Sequence, residues 1–412
     1  MLVTLARRTE LATRAGVRFR RVFSASETQM LRESVRAFVN RHVAPYINQW
    51  EEEEGLPREL HKRAGDAGIL GVIFPEKYGG LDGSHKTFID FTEELSVVGA
   101  GGLQVSLWTH NIALPPILAH GSEAMKNEVA PAVIKGDKIA ALASTEPSGG
   151  SDVANIKTTA KRDGNYFVIN GCKTLITSGS KADWISVVAR TGGDGIDGLS
   201  LILVDGTAPG LTRTKLQTMG WRCSDTATLM FDDVRVPVDR LIGPLNKGFK
   251  MLMETFNSER FLISNMAVAF AKVCLSESLD WAKQRETFGS PLIKRQVIRH
   301  KLVDMKTAVV AADAFLNKIA HDLDARAASP ADLSMLKNHT TSMLEFVAGE
   351  AMQIFGGAGF VRGSKVERIY RETKVLTIGG GSREVMKDLA ARQMHWSLTY
   401  GLSNSKVSPA VS

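Results

Sequence analysis

The chain has 412 residues, 44% hydrophobic and 23% charged, with 37 Gly and 13 Pro, which excludes collagen, low-complexity and disordered classes and leaves room for two or three domains. Its cysteines, Cys172, Cys223 and Cys274, show no C-x-x-C or C-x-x-H spacing, so neither a disulfide framework nor a metal site is indicated. The formal charge of +7 sits mostly in residues 1–23, where six Arg face one Glu, and the remaining +2 forms no basic stripe for nucleic acid.

Residues 1–23, with Arg7, Arg8, Arg14, Arg18, Arg20 and Arg21 against Glu10 alone, read as a mitochondrial transit peptide or as a frayed basic helix. The Arg21-Val22-Phe23-Ser24 stretch is similar to a processing site, so a mature chain is expected from Ser24. Ser26 with Gln29 reads as a capping box, and Leu31, Val35, Phe38 and Val39 recur at helical spacing until Pro45. Helical patterns continue to about residue 140, with breaks at Tyr78-Gly79-Gly80, Leu114-Pro115-Pro116 and Gly121-Ser122.

From 142 to 245 the pattern is β. The run Asn165–Ile169 lies between the turn signals Asp163-Gly164 and Asn170-Gly171, and further strands are expected at Trp184–Ala189, Leu199–Val204, Leu211–Leu216 and Thr226–Val236. An antiparallel sheet or small barrel follows. Helical spacing returns over Phe249–Lys283, Leu292 to about Ala327, and Asp332–Gln353, punctuated by Pro291 and Pro330. The expected fold is α+β and multidomain: leader 1–23, N-terminal helical domain 26–141, middle β domain 142–245, C-terminal helical bundle 246–400 and tail 401–412. No run reaches the roughly 20 apolar residues of a membrane span; the nearest, Phe261–Val273, is interrupted by Ser264, Asn265 and Lys272.

Three stretches could carry chemistry. The loop Thr145-Glu146-Pro147-Ser148-Gly149-Gly150-Ser151-Asp152 offers backbone N–H groups and hydroxyls to a polar ring or phosphate, or is a loop capped by Ser151 or Asp152. Gln353-Ile354-Phe355-Gly356-Gly357-Ala358-Gly359-Phe360 is not a dinucleotide fingerprint, because its glycines close a helix instead of opening one. Arg285-Glu286-Thr287-Phe288-Gly289, with Gln296 beyond, is either a helix end or an Arg for a pyrophosphate with a Phe for an adenine. Glu259-Arg260 in an apolar helix is, from spacing alone, an ordinary solvated pair.

Taken in order, these stretches resemble the acyl-CoA dehydrogenase family from about residue 27 to about 397. The matching blocks are Phe74 to Gly80, Thr145 to Asp152, Asn170 to Thr177, Met219-Gly220, Phe231 to Pro237, Arg285 to Gly289 and Gln353 to Gly359. The resemblance implies a helical domain, a β domain and a four-helix bundle, one FAD per subunit held partly across a subunit interface, and a homotetramer built as a dimer of dimers. It places Leu142, Ser144, Thr145, Gly150, Ser151, Leu175, Ile176 and Thr177 along the isoalloxazine and ribityl chain. Arg285, Thr287, Phe288, Gln296, Gln353, Gly356 and Gly357 match positions around the pyrophosphate and adenosine, and Ser382 and Glu384 match positions near FAD.

Family chemistry takes the α proton of an acyl thioester while the β hydride leaves to flavin, so a carboxylate must face the substrate. Many members carry it late in the chain, where this sequence has Ile378-Gly379-Gly380-Gly381-Ser382-Arg383-Glu384, with Gly380 at the position of the Glu. The long-chain and isovaleryl types instead place it on a bundle helix before an Arg, and Asn257-Ser258-Glu259-Arg260 fits that arrangement. Glu259 is therefore the expected catalytic base. Ser151, Asn257, Arg260, Gly380 and Gly381 are the expected substrate contacts, with the Gly380 N–H directed at the thioester oxygen. Departures from the family are Leu175 where an aromatic is common, Arg295 for His, and Ser382 for Thr.

The resemblance implies formation of trans-2-enoyl-CoA from a medium- or long-chain acyl-CoA in mitochondrial fatty-acid β-oxidation, with electrons passed to electron-transfer flavoprotein. Gly379-Gly380 with Met386 and Lys387 favours the long-chain type over the isovaleryl type. An isovaleryl or branched-chain enzyme, a flavin oxidase and a non-catalytic flavin-fold binding protein are the alternatives. Trp108 and His110 either line the acyl pocket or fill the core.

Overall fold

The computed structural model describes residues 20–394. Residues 1–19 of the expected leader and the tail 401–412 lie outside the described residues. Arg20–Phe23 lie within them: Arg20 Nη1 donates to the carbonyls of Ile73 and Gly83, the Arg21 N–H donates to Asp82 O, and Phe23 packs on the core.

Seven helices come first: α1 (Ala25–His42), α2 (Ile47–Glu53), α3 (Glu59–Asp66), α4 (His85–Ser96), α5 (Gly101–Trp108), α6 (His110–His120) and α7 (Glu123–Ile134). The expected Ser26–Gln29 capping box is corrected to Ser24 and Glu27. The Ser24 hydroxyl accepts the Glu27 N–H, and the Glu27 carboxylate accepts the Ser24 N–H. A carboxylate suits this place because it also meets the positive end of the helix dipole. The expected break at Pro115-Pro116 is absent too. Helix α6 runs through both, because Ala113, Leu114, Pro116 and Ile117 are buried against the first strand and the first bundle helix, which offsets the missing backbone bonds.

The middle region is one eight-stranded sheet: β1 (Ala140–Ala143), β2 (Thr159–Asp163), β3 (Tyr166–Ile176), β4 (Trp184–Arg190), β5 (Leu199–Asp205), β6 (Leu211–Lys215), β7 (Ala227–Pro237) and β8 (Leu241–Ile242). Its order is β6-β7-β3-β2-β4-β5-β8, with β1 on β4. Pairing is antiparallel as expected, except that β1 and one residue of β2 run parallel to β4. Asn170-Gly171 is not a turn. Strand β3 continues through it with a register shift, and the Asn170 amide exchanges hydrogen bonds with Asp233 across the gap. Gly171 is required there, since its φ is 148° and a Cβ would lie 2.5 Å from Thr158 Oγ1.

The C-terminal half holds α8 (Gly248–Gln284), a small hairpin β9 (Glu286–Thr287) and β10 (Ser290–Pro291), then α9 (Gln296–Asp324), α10 (Pro330–Phe355), the short α11 (Gly357–Phe360), α12 (Lys365–Ile378) and α13 (Arg383–Gln393). Helix α9 begins later than Leu292, which instead opens a 3-10 turn. Helix α10 packs on α8, α9, α12 and α13 and is the axis of the bundle. Gly356, at φ 60°, ends it as the sequence indicated. By length and composition α8 could cross a bilayer, yet 67% of its most apolar window is buried in the protein. One core joins the N-terminal helices to the bundle, a second joins α6, α7 and the start of α8 to one face of the sheet, and a third fills the other face. Trp108 and His110 belong to the interior: Trp108 stacks near Phe88 at 4.7 Å, and His110 Nε2 lies 2.7 Å from Leu70 O.

Candidate active site

Glu259 and Arg260 lie in the first half of α8, between its buried residues Thr255 and Phe261. The turn after α12 comes up against them. A Cβ built on Gly380 would stand 3.9 Å from Glu259 Cγ, 3.6 Å from Arg260 Cγ and 2.9 Å from Ile263 Cδ1. The two positions that the sequence paired by their complementary occupancy are thus neighbours in space. Gly380 has φ 67° and Gly381 φ 109°, so the turn adopts a left-handed path that only glycine takes without strain. Arg260 Nε donates to Gly380 O at 3.1 Å, and Arg260 Nη1 donates to Asn257 Oδ1 at 2.7 Å. The Gly380 N–H meets no acceptor among the described residues.

From the other side comes Lys337 of α10, a residue the sequence reading passed over. It is wholly buried, and its Nζ donates to Thr377 O and Gly381 O, both at 2.7 Å. Burial lowers its ammonium pKa to about 8. Burial likewise pushes the Glu259 carboxyl above the ordinary range, against the opposing pull of the Arg260 and Lys337 charges. The sequence did carry a signal for Lys337. It falls on the buried stripe Leu333, Leu336, Thr340, Leu344 of α10, where a charge needs a partner.

A second group forms at the mouth of the sheet. Strand β1 leads into the Thr145–Asp152 loop, which is pinned to β3 by the Thr174 N–H on Thr145 O at 2.9 Å. Beneath it Lys173 Nζ bonds Ser144 O at 2.9 Å and Glu146 Oε1 at 2.8 Å. Glu146 also accepts the N–H groups of Lys157 and Thr158. Burial acts to raise its pKa, but the Lys173 charge and these bonds outweigh it and hold it at about 2. Neither Ser151 nor Asp152 caps the loop through its side chain in the expected way; Asp152 instead accepts from Asn155 Nδ2.

The shelf above this pair suits a flavin ring. Gly149 and Gly150 are exposed, and a Cβ on Gly149 would meet nothing within 4 Å. Leu175 is held at φ 59° with 59% of its surface exposed, an apolar side chain presented to an incoming ring. The hydroxyls of Ser144, Thr145 and Thr177 have no partner among the described residues, and so remain available to ring nitrogens and oxygens. The side chains of Leu142 and Ile176 point into the cores, leaving their backbone to face the shelf.

The third group lies at the far end of the bundle. Trp281 near the end of α8 stacks on Phe355 of α10 at 4.9 Å, which brings the hairpin and the Gly356-Gly357 corner to one end. Phe288, 98% exposed, tops the hairpin, where Arg295 donates to Thr287 O and lies 5.7 Å over the Phe288 ring. Arg285, Gln296, Gln353, Gly356 and Gly357 are exposed. A recess of roughly 520 Å³ is lined by Gly349, Met352, Gln353, Gly356, Phe360 and Tyr370. An exposed aromatic, a free guanidinium and open glycines are the chemistry an adenine and a pyrophosphate require. No hydrogen bond, ion pair or ring contact links this group to the shelf among the described residues. Ser382 caps α13, its hydroxyl accepting the Val385 N–H, while Glu384 is exposed in the first turn.

Three family models match in register along the chain: acyl-CoA dehydrogenase N-terminal domain over residues 25–137, middle domain over 141–234 and C-terminal domain over 246–395. The long-chain specific acyl-CoA dehydrogenase of rat mitochondria (Rattus norvegicus) is 35% identical over 379 residues, spanning 91% of this chain and 88% of its own. A solved structure from Mycobacterium abscessus, named a "probable acyl CoA dehydrogenase", is 42% identical with a TM-score of 0.88, covering 90% of this chain and 100% of its own. A glutaryl-CoA dehydrogenase from Mycobacterium smegmatis in complex with FADH2 is 26% identical with a TM-score of 0.86, covering 92% of this chain and 97% of its own.

Proposed function

The chain belongs to the acyl-CoA dehydrogenase family of FAD-dependent oxidoreductases, and on that premise we propose that Glu259 is the base that removes the α proton of a medium- or long-chain acyl-CoA, giving the trans-2-enoyl-CoA. The observation that carries this reading is the adjacency of Glu259 to the bare Gly380 turn, where a side chain would begin 3.9 Å from Glu259 Cγ. FAD, when bound, supplies the acceptor for the β hydride.

The protein's own part is proton abstraction and charge stabilisation. An α proton is weakly acidic, and a carboxyl whose pKa is raised by burial is a better match for it than an exposed one. Negative charge gathers on the thioester oxygen as that proton leaves, and the unpaired Gly380 N–H is the donor placed to meet it. Arg260 holds Gly380 from its carbonyl side and Asn257 from its own helix, fixing the donor relative to the base. Ser144, Thr145, Leu175 and Thr177 would hold the flavin ring. Arg285, Phe288, Gln353 and Gly356 would hold the adenosine end of a flavin whose ring is bound by a second copy, a reading supported by the lack of contact between the two groups among the described residues. A homotetramer and reoxidation by electron-transfer flavoprotein complete the reading, with a mitochondrial address that the Arg-rich first 23 residues and the mitochondrial rat relative support.

The test is anaerobic stopped-flow reduction of the purified flavoprotein by acyl-CoAs from C4 to C18 and by isovaleryl-CoA. Bleaching is expected with the longer straight chains, and Glu259→Gln is expected to slow it by about 10²–10⁴-fold at unchanged FAD content. Bleaching that survives this substitution rejects Glu259 as the base.

A further inference from the structure

Lys337 has no role in the reading above, although with Arg260 it is one of the two buried cations whose charge acts on the proposed base. We propose that Lys337 is a positioning residue for proton abstraction: it ties down both ends of the turn that carries Gly380 and sets an ammonium charge within electrostatic reach of the Glu259 carboxylate. This rests on Glu259 being the base.

The geometry is specific to the turn. Thr377 O and Gly381 O flank Gly379-Gly380, and one Nζ takes both, 2.7 Å from each. Arg260 takes the carbonyl between them, that of Gly380. Three anchors from two helices thus hold the carbonyls of the turn, while the N–H groups of Gly380 and Gly381 have no acceptor among the described residues. A glycine pair with φ of 67° at Gly380 and 109° at Gly381 has no side chains of its own to hold that path. Without Lys337, the carbonyls at the end of α12 would lie buried and unpaired, and the turn would lose its fixed distance to Glu259.

The charge matters independently of the bonds. The groups that face this centre are Glu259 and Arg260 from α8, Lys337 from α10, and Arg383 and Glu384 from the start of α13. Arg383 is engaged by Glu345 and Glu384 is exposed, so the buried positive charges on Glu259 are those of Arg260 and Lys337. Both favour the ionised carboxylate, the form able to receive a proton. A lysine serving only to cap α12 would leave the titration of Glu259 where it is.

The experiment measures flavin reduction by an acyl-CoA that bleaches the wild type, from pH 5.5 to 9.5, in the holoenzyme and in Lys337→Gln, Lys337→Met and Lys337→Arg. Loss of the charge is expected to raise the acid midpoint by about one pH unit in the Gln and Met variants. Their limiting rate at pH 7 should fall at least about tenfold with substrate half-saturation nearly unchanged, as for a group acting in the transition state. Lys337→Arg should keep the wild-type midpoint. An FAD-replete Gln or Met variant with the wild-type midpoint and rate overturns the proposal. Should neither variant hold FAD, the melting temperatures of wild type and Glu259→Gln at pH 7.5 and 9.5 decide. Coupled charges require the advantage of the Gln variant to widen as Lys337 loses its proton, and a constant gap overturns the proposal. The two ideas fail separately. Bleaching by Glu259→Gln removes the base itself, whereas an inert Glu259→Gln beside unshifted Lys337 variants removes only the role of Lys337.

Discussion

Replacing Lys173 by Met would test whether the Thr145–Asp152 loop is held from beneath by charge. The Lys173 and Glu146 side chains are 0% and 3% exposed and 2.8 Å apart. Such a pair contributes little net, because the water lost from two ions offsets their attraction, but removing one partner strands the other charge at about 3–5 kcal/mol. Glu146 would keep the N–H bonds from Lys157 and Thr158, which points to the lower end, about 3 kcal/mol. At roughly 2–4 °C per kcal/mol, melting followed by flavin fluorescence at pH 7 should fall by about 6–12 °C. In the wild type Glu146 is held at about 2 against an ordinary 4.5, so its contribution is present above pH 4.5 and lost as pH falls toward 2. In the variant burial acts on Glu146 without the lysine, its pKa rises, and the deficit should shrink between pH 7 and pH 5. Adding Glu146→Gln should restore at least half of the loss. A single variant within 2 °C of wild type, or a double variant as unstable as the two singles summed, would refute the reasoning, by the usual test of a coupled pair.

Three further outcomes are expected. Since burial raises the Glu259 carboxyl, the folded protein binds that proton more tightly than the unfolded chain, and stability is lost as pH rises through the raised value. Glu259→Gln should accordingly melt above the wild type at pH 8 and converge with it near pH 4, read by thermal scanning. Gly380→Ala places a Cβ at φ 67° and 2.9 Å from Ile263 Cδ1, so melting should fall by the equivalent of about 1–3 kcal/mol and flavin bleaching should slow. Glu372, buried beside Glu51, is pushed up to about 8 by burial and then by the Glu51 charge. Stability is therefore lost as pH rises from about 4.5 to about 8; melting should fall across that range and Glu51→Gln should end the fall at lower pH, and a melting curve independent of pH there would contradict it.

The long elements were legible because their hydrophobic spacing is long. The three main bundle helices differ from expectation at their ends by a few residues, where capping chemistry decides. Sequence failed where a local signal was overruled at a distance. Asn170-Gly171 reads as a hairpin turn, but Asp233 across the sheet gives the Asn170 amide its partner and the strand continues. Pro115-Pro116 reads as a break, but burial of the surrounding apolar face keeps the helix. At the site, Glu259 stands out as the candidate base only by combining a missing side chain at 380 with a present one at 259, and the structure brings these two positions together. The Lys173–Glu146 pair and Lys337 were missed because their partners are a main-chain carbonyl or a carboxylate on another element, which no spacing rule displays.

The adjacency of Glu259 and Gly380 also explains why one chain carries a carboxylate at only one of these positions. A side chain at 380 would start 3.9 Å from Glu259 Cγ, so two carboxylates there would face each other in a buried space. Like charges at that range cannot both ionise, and one acid would stay protonated and useless as a base. On the proposal that Glu259 is the base, it is carried on a 37-residue helix beside that helix's own buried Phe261 and Ile263, a firmer mount than the end of a glycine turn. The turn, freed of a side chain, then offers its backbone N–H, and two cations from neighbouring helices hold its carbonyls in place. Base, donor and cations thus divide among three elements what a single residue at 380 would have to do alone.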